Sequence, residues 1–543
     1  MSLAALIREE GSIQPARVAT MSAVAGLSSA GVLAVINAAA DKVSKHESII
    51  PYFFAFLAIV LIYVISKRFI QLTSIRETEQ IIHRIRVRIV DKVMKSDLVA
   101  LERIGRNNIF ASAGKETQTI SQAAFMLTNA AESFAMLVFS VIYLAWLSIP
   151  AFVIGTLFTA FAIWVHLRQM RGINNELREA IDQENTCLDE LSDFLAGFKE
   201  AKVNASRAGD MFRFFLAQSS RAAHSKITSQ SKMAEHFTLT QVMFYMLIAT
   251  MVFVVPLFSE AFAGVVVKTA TSVLFMIGSI TTLVSSLPIL AQANAAAGNI
   301  RAIEDSLNKA SRPSPPMREP IGAFREITFR DVTFEHDDAT GAATFSEGPI
   351  NLTLRAGETT FVTGGNGSGK STLIKLLIGL YQPSSGVIEV DGKPIDDTML
   401  EAYRNMFAVV FSDYHLFKRL YGMMEASQER IDGLLGLLEI RDKTKVVAGE
   451  FETLDLSGGQ RKRLALLVAL LEDRPVVVLD EWAADQDPVF RRKFYEEMLP
   501  ELKRQGKTII AITHDDQYYR LADRRIKMEY GRIASDQGGG SRA

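Results

Sequence analysis

The stretch Pro51–Ser66, PYFFAFLAIVLIYVIS, runs for sixteen residues without a charge, and Val242–Phe258, VMFYMLIATMVFVVPLF, does the same over seventeen. A hydrocarbon layer of ~30 Å is crossed by about 20 apolar residues in a helix. These two segments therefore read as membrane-crossing helices before any other constraint applies. Related runs lie near 18–40, 126–147, 150–168 and 269–290, and with 50–69 and 238–258 they predict six spans. The first is the weakest, diluted by Ala, Gly and Ser. Its end, Ala38-Ala39-Ala40-Asp41, imitates a signal-peptidase site, but Glu9 and Glu10 ahead of it and the length of the run argue for a retained span.

Lysine and arginine set the orientation. The segment after the second span carries Lys67, Arg68, Arg76, Arg84, Arg86, Arg88, Lys92 and Lys95, and the one after the fourth carries Arg168, Arg171, Arg178, Lys199, Lys202 and Arg207. The turns around Asp41–Glu47, at Pro150 and around 260–268 are short and poor in both. Both termini are thus expected on the cytoplasmic side, with two long excursions into the cytoplasm. Their apolar spacing, Ile81-Ile82-Ile85-Ile89 and Leu188-Leu191-Phe194-Leu195, is helical. A hydrophobic share of 49% suits a chain with one part in lipid and one in water, and 543 residues exceed a single ordinary core. The formal charge of -1 offers no net attraction to nucleic acid, which is not expected as a partner. Cys187 stands alone, which excludes an intramolecular disulfide and a cysteine zinc cluster.

Glu132 is the one carboxylate well inside a predicted span. It either enters a solute cavity or lies near the cytoplasmic headgroups, and the second fits better because the third helix begins below the membrane. Ser279, Thr282, Ser286 and Gln292 recur along one side of the sixth span, where they either line a polar path or bond neighbouring helices.

After Arg312 the text changes to short strands, glycine turns and amphipathic helices. Ser311-Arg312-Pro313-Ser314-Pro315-Pro316 disfavours helix and marks the boundary. The expected organisation is a membrane domain over 1–310, a linker over 311–323, a nucleotide-binding domain over 324–535 and a flexible tail over 536–543. Strand-like Glu358–Thr363 runs into Gly364-Gly365-Asn366-Gly367-Ser368-Gly369-Lys370-Ser371-Thr372 and then LIKLLIGL, a P-loop in its strand–loop–helix setting. Its glycines let backbone N–H groups converge on phosphate, aided by the helix N-terminus. Lys370 would neutralise the β- and γ-phosphates and Ser371 would hold Mg²⁺, so ATP and Mg²⁺ are the expected cofactors. Val476–Leu479 is an all-apolar strand that ends in Asp480 and Glu481. Asp480 suits the Mg²⁺ shell, directly or through water, and Glu481 suits polarisation of the attacking water. The strand Thr508–Thr513 ends in His514, placed to contact the γ-phosphate and hold Glu481.

Between these lies Leu456-Ser457-Gly458-Gly459-Gln460, some 20 residues before the acidic strand. LSGGQ there resembles the signature motif of ABC ATPases, over roughly 324–535. The resemblance implies that Ser457, Gly458, Gly459 and Gln460 cap the γ-phosphate held by a partner chain's P-loop, so that two copies enclose two ATP molecules. Six spans with two cytoplasmic excursions look like the exporter-type membrane domain, whose coupling helices dock on the nucleotide domains; Leu195–Arg207 is the candidate for one. The implied fold is multidomain, an all-α six-helix transmembrane domain of exporter type followed by an α/β P-loop nucleotide-binding domain. Asp487 matches the D-loop aspartate. In place of the usual Q-loop glutamine the chain has Ser412, followed by Asp413, and the adenine-stacking aromatic falls at His336. DEWAADQDP, FSDYHLF and THDDQYY together resemble bacterial cyclic-peptide exporters, which secrete microcins, lipopeptides and siderophore-related peptides. The resemblance implies a homodimer in the bacterial cytoplasmic (inner) membrane exporting a peptide-like small molecule. No peptidase segment is recognised, so leader cleavage is not expected. Import of siderophore-like cargo on an exporter fold and nucleotide-gated sensing without transport are the alternatives.

Overall fold

The computed structural model describes residues 5–6, 9, 15–254, 256, 266–311, 321–337 and 343–538. The chain separates into two compact units, Met1–Val90 with Asn107–Asp305, and Asp91–Arg106 with Ser306–Ala543.

The first unit is helical. Its elements are α1 (Pro15–Ser44), α2 (Ile50–Lys95), then, after the short α3 (Leu98–Ile104), α4 (Arg106–Leu147), α5 (Ile149–Ala196), α6 (Phe198–Val203), α7 (Ala205–Val254) and α8 (Val266–Ala310). Among the described residues five helices are long and apolar enough to cross a membrane, namely α1 over Arg17–Val43, α2, α4, α7 and α8. The predicted fourth span forms the start of α5, where the apolar helix covers Ile149–Ala162. Ser148 caps α5 by accepting a hydrogen bond from the Ala151 N–H, with Pro150 in the first turn, so α4 reverses into α5 at a single residue. Phe53, Phe54, Leu57, Leu61 and Ile65 on α2 are exposed, as a lipid-facing surface requires.

The two predicted apolar stripes part company. Ile81, Ile82, Ile85 and Ile89 are buried along α2. Leu188, Leu191 and Leu195 lie on the continuous helix α5 but are exposed. Beyond Gly197 the chain makes the six-residue α6, and Asn204 then caps α7 by accepting from the Arg207 N–H. The segment Leu195–Arg207 is thus a short helix between two breaks. Glu132 forms an ion pair with Lys67, which also donates to Asn129 Oδ1 at 3.2 Å. The hydroxyls of Ser279, Thr282 and Ser286 donate to carbonyls of their own helix, at Phe275, Gly278 and Leu283. These hydroxyl bonds stay within the helix and do not reach a neighbouring one.

The second unit holds α3 and, in chain order, β1 (Glu326–Asp337), β2 (Ala343–Arg355), β3 (Thr359–Gly364), α9 (Lys370–Leu377), β4 (Ser385–Val390), β5 (Lys393–Pro394), α10 (Leu400–Arg404), β6 (Phe407–Val410), α11 (Gln428–Leu437), β7 (Val446–Val447), β8 (Glu450–Phe451), α12 (Gly458–Leu471), β9 (Val476–Asp480), α13 (Pro488–Lys493), α14 (Leu499–Arg504), β10 (Thr508–Ile512), β11 (Arg524–Glu529) and β12 (Arg532–Gly538). An antiparallel sheet has the order β2-β1-β4-β5, and a six-stranded sheet has the order β12-β11-β3-β10-β9-β6. All of the latter are parallel except the edge strand β12. Side chains alternate between faces along a strand. Val477 and Leu479 accordingly join Phe361, Ile509 and Ala511 in one apolar cluster, and Val476 and Val478 join Val362, Ile510 and Ile512 in the other. With both faces covered, the central strands have to be apolar throughout.

Two sequence expectations change. Asp91–Arg106, placed in the membrane domain by sequence, belongs to the second unit: Leu98 and Val99 pack on the cluster that holds Phe329, and Glu102 accepts from Lys375 Nζ at 3.1 Å and from the Tyr381 hydroxyl at 2.8 Å. Residues 536–538, assigned to the tail, finish β12, where Asp536 pairs with Arg524 and Gln537 accepts from Arg525. The proline linker from Arg312 to Pro316, the turn at 260–265 and the tail over 539–543 lie outside the described residues.

Candidate nucleotide site

Strand register gathers the chemistry at one edge. Ile512 pairs with both Val362 of β3 and Asp480 of β9, so three parallel strands end side by side. The P-loop leaves β3 here, Glu481 follows Asp480, and His514 lies two residues past Ile512. Ser412 lies two residues past Val410, which pairs with Leu479. The carboxyl edge of a parallel sheet is where open α/β folds receive ligands.

The loop itself depends on glycine. Gly364 has φ +144°, and a Cβ there would fall 2.4 Å from the Met528 carbonyl oxygen. Gly369, with φ +101°, is the left-handed residue from which α9 starts. Asn366 and Gly367 are exposed, Ser371 is exposed, and Thr372 is half-buried. Lys370 is buried and donates to the carbonyl oxygens of Gly364 at 3.0 Å and Gly365 at 2.9 Å. The Ser368 hydroxyl is buried without a protein partner.

Asp480 is 4% exposed. Its Oδ2 accepts from the Ser412 hydroxyl at 3.1 Å, whereas Oδ1 is buried with no protein partner. Burial pushes this carboxyl above the usual carboxylate range, the Ser412 hydrogen bonds pull it back, and the charges of Glu481 and Asp413 push it up again. Glu481 adopts a left-handed backbone with φ +49° directly after the strand. Its Oε1 lies 3.4 Å from His514 Nε2. Lys462, 6% exposed, donates to the Glu481 carbonyl oxygen at 3.0 Å and pairs with Asp485 at 2.8 Å.

The LSGGQ residues form a second cluster around the start of α12. Ser457 and Gln460 make a reciprocal capping box. A Cβ on Gly459 would meet the Asp485 carbonyl oxygen at 2.9 Å, so the helix start fits closely against the turn after β9. Gly458 meets nothing within 4 Å and is open to a ligand or a partner. Asp487 caps α13 and accepts from Arg463 at 2.6 Å, which places it with the LSGGQ helix. His336 is exposed on β1, 6.2 Å between ring centres from Phe334, which stacks on Tyr381 at 4.7 Å.

Sequence reading missed several supports. Lys462 and Arg463 follow the glycines as a basic pair, and Arg463 also lies 3.5 Å over the Phe490 ring. Trp482, 1% exposed, donates from its indole N–H to the Lys462 carbonyl oxygen. A tryptophan directly after two acids was the available signal. Glu347, fully buried on β2, was hidden because the bend at Gly348 and Pro349 breaks strand alternation.

The ABC transporter family model matches residues 348–484. The chain is 33% identical to ATP-binding protein SyrD of Pseudomonas syringae pv. syringae, over 94% of this chain and 92% of that one. It is 29% identical to an ATP-dependent lipid A-core flippase of Burkholderia orbicola, over 67% and 63% of the two chains. In fold it resembles a bacterial Atm1-family ABC exporter solved with ATP bound, with a TM-score of 0.77 at 18% identity over 98% of this chain and 96% of that one. The chain therefore belongs to the ABC transporter family, as an exporter-type half-transporter whose cassette hydrolyses ATP to drive transport across a membrane.

Proposed function

We propose that the protein works as a homodimer in the bacterial cytoplasmic membrane, with both termini in the cytoplasm, and exports a cyclic or nonribosomal peptide or a peptide siderophore. The observation that carries the dimer is the division of the site: Asp480, Glu481, His514 and the P-loop share one sheet edge, while Ser457–Gln460 cap a different helix with Gly458 open. Two copies arranged head to tail would bring each cluster to the other's nucleotide. The exposed stripe Leu188, Leu191 and Leu195 supports contact with a second copy. The peptide cargo rests on DEWAADQDP, FSDYHLF and THDDQYY, and on a relative aligned over nearly the whole chain. An exporter fold over the same length favours export over import.

Within each site Lys370 and the backbone from Gly364 to Thr372 receive the phosphates, and His336 offers its imidazole to adenine. Ser371 and Asp480 fit Mg²⁺: a buried carboxylate oxygen without a partner is costly unless a cation meets it. The ion would neutralise charge on the β- and γ-phosphates. Ser412 holds the other oxygen of Asp480 in place of a glutamine, and Asp413 adds negative charge beside it. Glu481 orients and polarises the attacking water, and His514 fixes the Glu481 carboxylate and reaches the γ-phosphate. Asp487 reports the state of the LSGGQ helix through Arg463.

Glu481→Gln keeps the shape and the contact to His514 but removes the base. Steady-state ATPase activity should fall by about 10²-fold or more, with ATP binding preserved. Undiminished hydrolysis rejects the role. For the cargo, reconstituted vesicles are tested for ATPase stimulation and ATP-dependent uptake with cyclic peptides, linear peptides and lipids. Stimulation by lipids alone rejects the peptide assignment.

A further inference from the structure

Directly behind the P-loop lies a carboxylic acid that the reading above does not use. Glu347 sits on β2 opposite Phe334, fully buried. Neither of its carboxyl oxygens has a hydrogen bond of ordinary geometry, and both are out of reach of solvent. They lie against the phosphate loop: a Cβ on Gly369 would come 2.7 Å from Glu347 Oε1 and 3.3 Å from Oε2. On the same loop the Thr372 side chain interacts with the carboxyl. The backbone is tied to the loop as well. The Gly348 N–H donates to the Gly531 carbonyl oxygen at 2.8 Å, and the Gly531 N–H donates to that of Ser368 at 3.0 Å.

Among the described residues no cation compensates the Glu347 carboxyl. Lys370, on the adjoining helix, is turned to the carbonyls of Gly364 and Gly365. On β1, Glu335 and His336 are exposed beyond Phe334, and Tyr530 at the β11–β12 turn is 90% exposed. Burial pushes the Glu347 carboxyl up to about 8, and only Thr372 acts against it. A buried carboxylate without a partner is costly, so burial favours the neutral acid. In that form it has a proton to donate.

We propose that Glu347 is a positioning residue of the nucleotide site: as a neutral acid it hydrogen-bonds Thr372 and backs the Gly369–Thr372 turn, and its ionisation sets a negative charge behind bound phosphate and weakens nucleotide binding. The proposal rests on the P-loop assignment made above. It gives the cassette a built-in loss of nucleotide affinity toward alkaline pH. A carboxylate a few ångströms from phosphate, with little solvent between, repels it appreciably.

The test is ATP binding to the full-length protein in detergent, measured in EDTA so that no cation takes part, across neutral to alkaline pH. Wild type should lose affinity by about tenfold between pH ~7 and ~9. Glu347→Gln, of the same shape and unable to ionise, should match wild type at neutral pH and stay within about twofold across the range. Glu347→Val, which removes the hydrogen bond too, should be pH-independent but weaker throughout. An alkaline loss in Glu347→Gln equal to that of wild type overturns the proposal, as does a flat wild-type profile. Lys370→Ala separates the two readings. If it binds ATP like wild type, the P-loop assignment fails; if it loses binding while Glu347→Gln follows wild type, only the role of Glu347 fails.

Discussion

Ser412→Ala removes the one hydroxyl that supports Asp480. The bond it breaks is 3.1 Å long and ends on a carboxylate that is 4% exposed, and the other oxygen of that carboxylate already has no protein partner. A hydrogen bond to a charged group is worth about 1.5–3 kcal/mol. The Ser412 backbone also hydrogen-bonds the carboxylate and is retained, so the lower end applies. Without the hydroxyl, the acid form of Asp480 should persist to higher pH. The sign follows from the chemistry. Burial already holds this carboxyl above its ordinary value, the hydroxyl lowers it, and losing the hydroxyl raises it further. Its charged form is lost as pH falls, so the acid limb of the ATPase profile moves to higher pH. Steady-state hydrolysis between about pH 5 and 8, at saturating ATP and sub-saturating Mg²⁺ so that proton and cation compete for the carboxylate, reads the limb directly, and Ser412→Asn, which restores a donor, should move it back. Coincident acid limbs for wild type and Ser412→Ala would refute the reasoning, because Asp480 would then be governed by something other than its one side-chain partner.

Trp482→Ala opens a cavity where the indole packs 4.4 Å, between ring centres, from Phe494 and donates to the Lys462 carbonyl oxygen. The cassette should lose about 3–5 kcal/mol, read as a fall in its thermal unfolding temperature; an unchanged temperature contradicts the packing described. Gly364→Ala places a Cβ 2.4 Å from the Met528 carbonyl oxygen at a backbone angle that alanine resists. ATP binding should fall at least about tenfold, for a strain of order 1–3 kcal/mol, and full binding would show that the loop tolerates the shift.

The parts of the site that obey local rules were legible in the sequence. Gly364–Thr372 must be a loop between strand and helix whatever surrounds it, and Val476–Asp480 can be apolar along its whole length only in the middle of a covered sheet. The helical spacing of Ile81, Ile82, Ile85 and Ile89 predicted both the helix and its buried face. The same spacing at Leu188, Leu191 and Leu195 predicted the helix alone, because periodicity shows that a face exists and not what covers it. Contacts between residues distant in sequence stayed hidden. Nothing in SEGP marks Glu347 as lying against Gly369, since the link runs through Gly531. Lys462 read as one of several basic residues on a helix, and only the turn after β9 gives it Asp485 and the Glu481 carbonyl oxygen as partners.

The sequestering of Asp91–Arg106 into the second unit means that the cassette is not one continuous piece of polypeptide. A fragment cut at Ser306 would leave behind Leu98 and Val99, baring the apolar patch they cover, and would deprive Lys375 and Tyr381 of Glu102. Chimaeras that exchange ATPase modules between relatives must therefore carry this distant stretch with them. Otherwise they will join an engine to a mismatched mounting, on the very helix that begins at the phosphate loop.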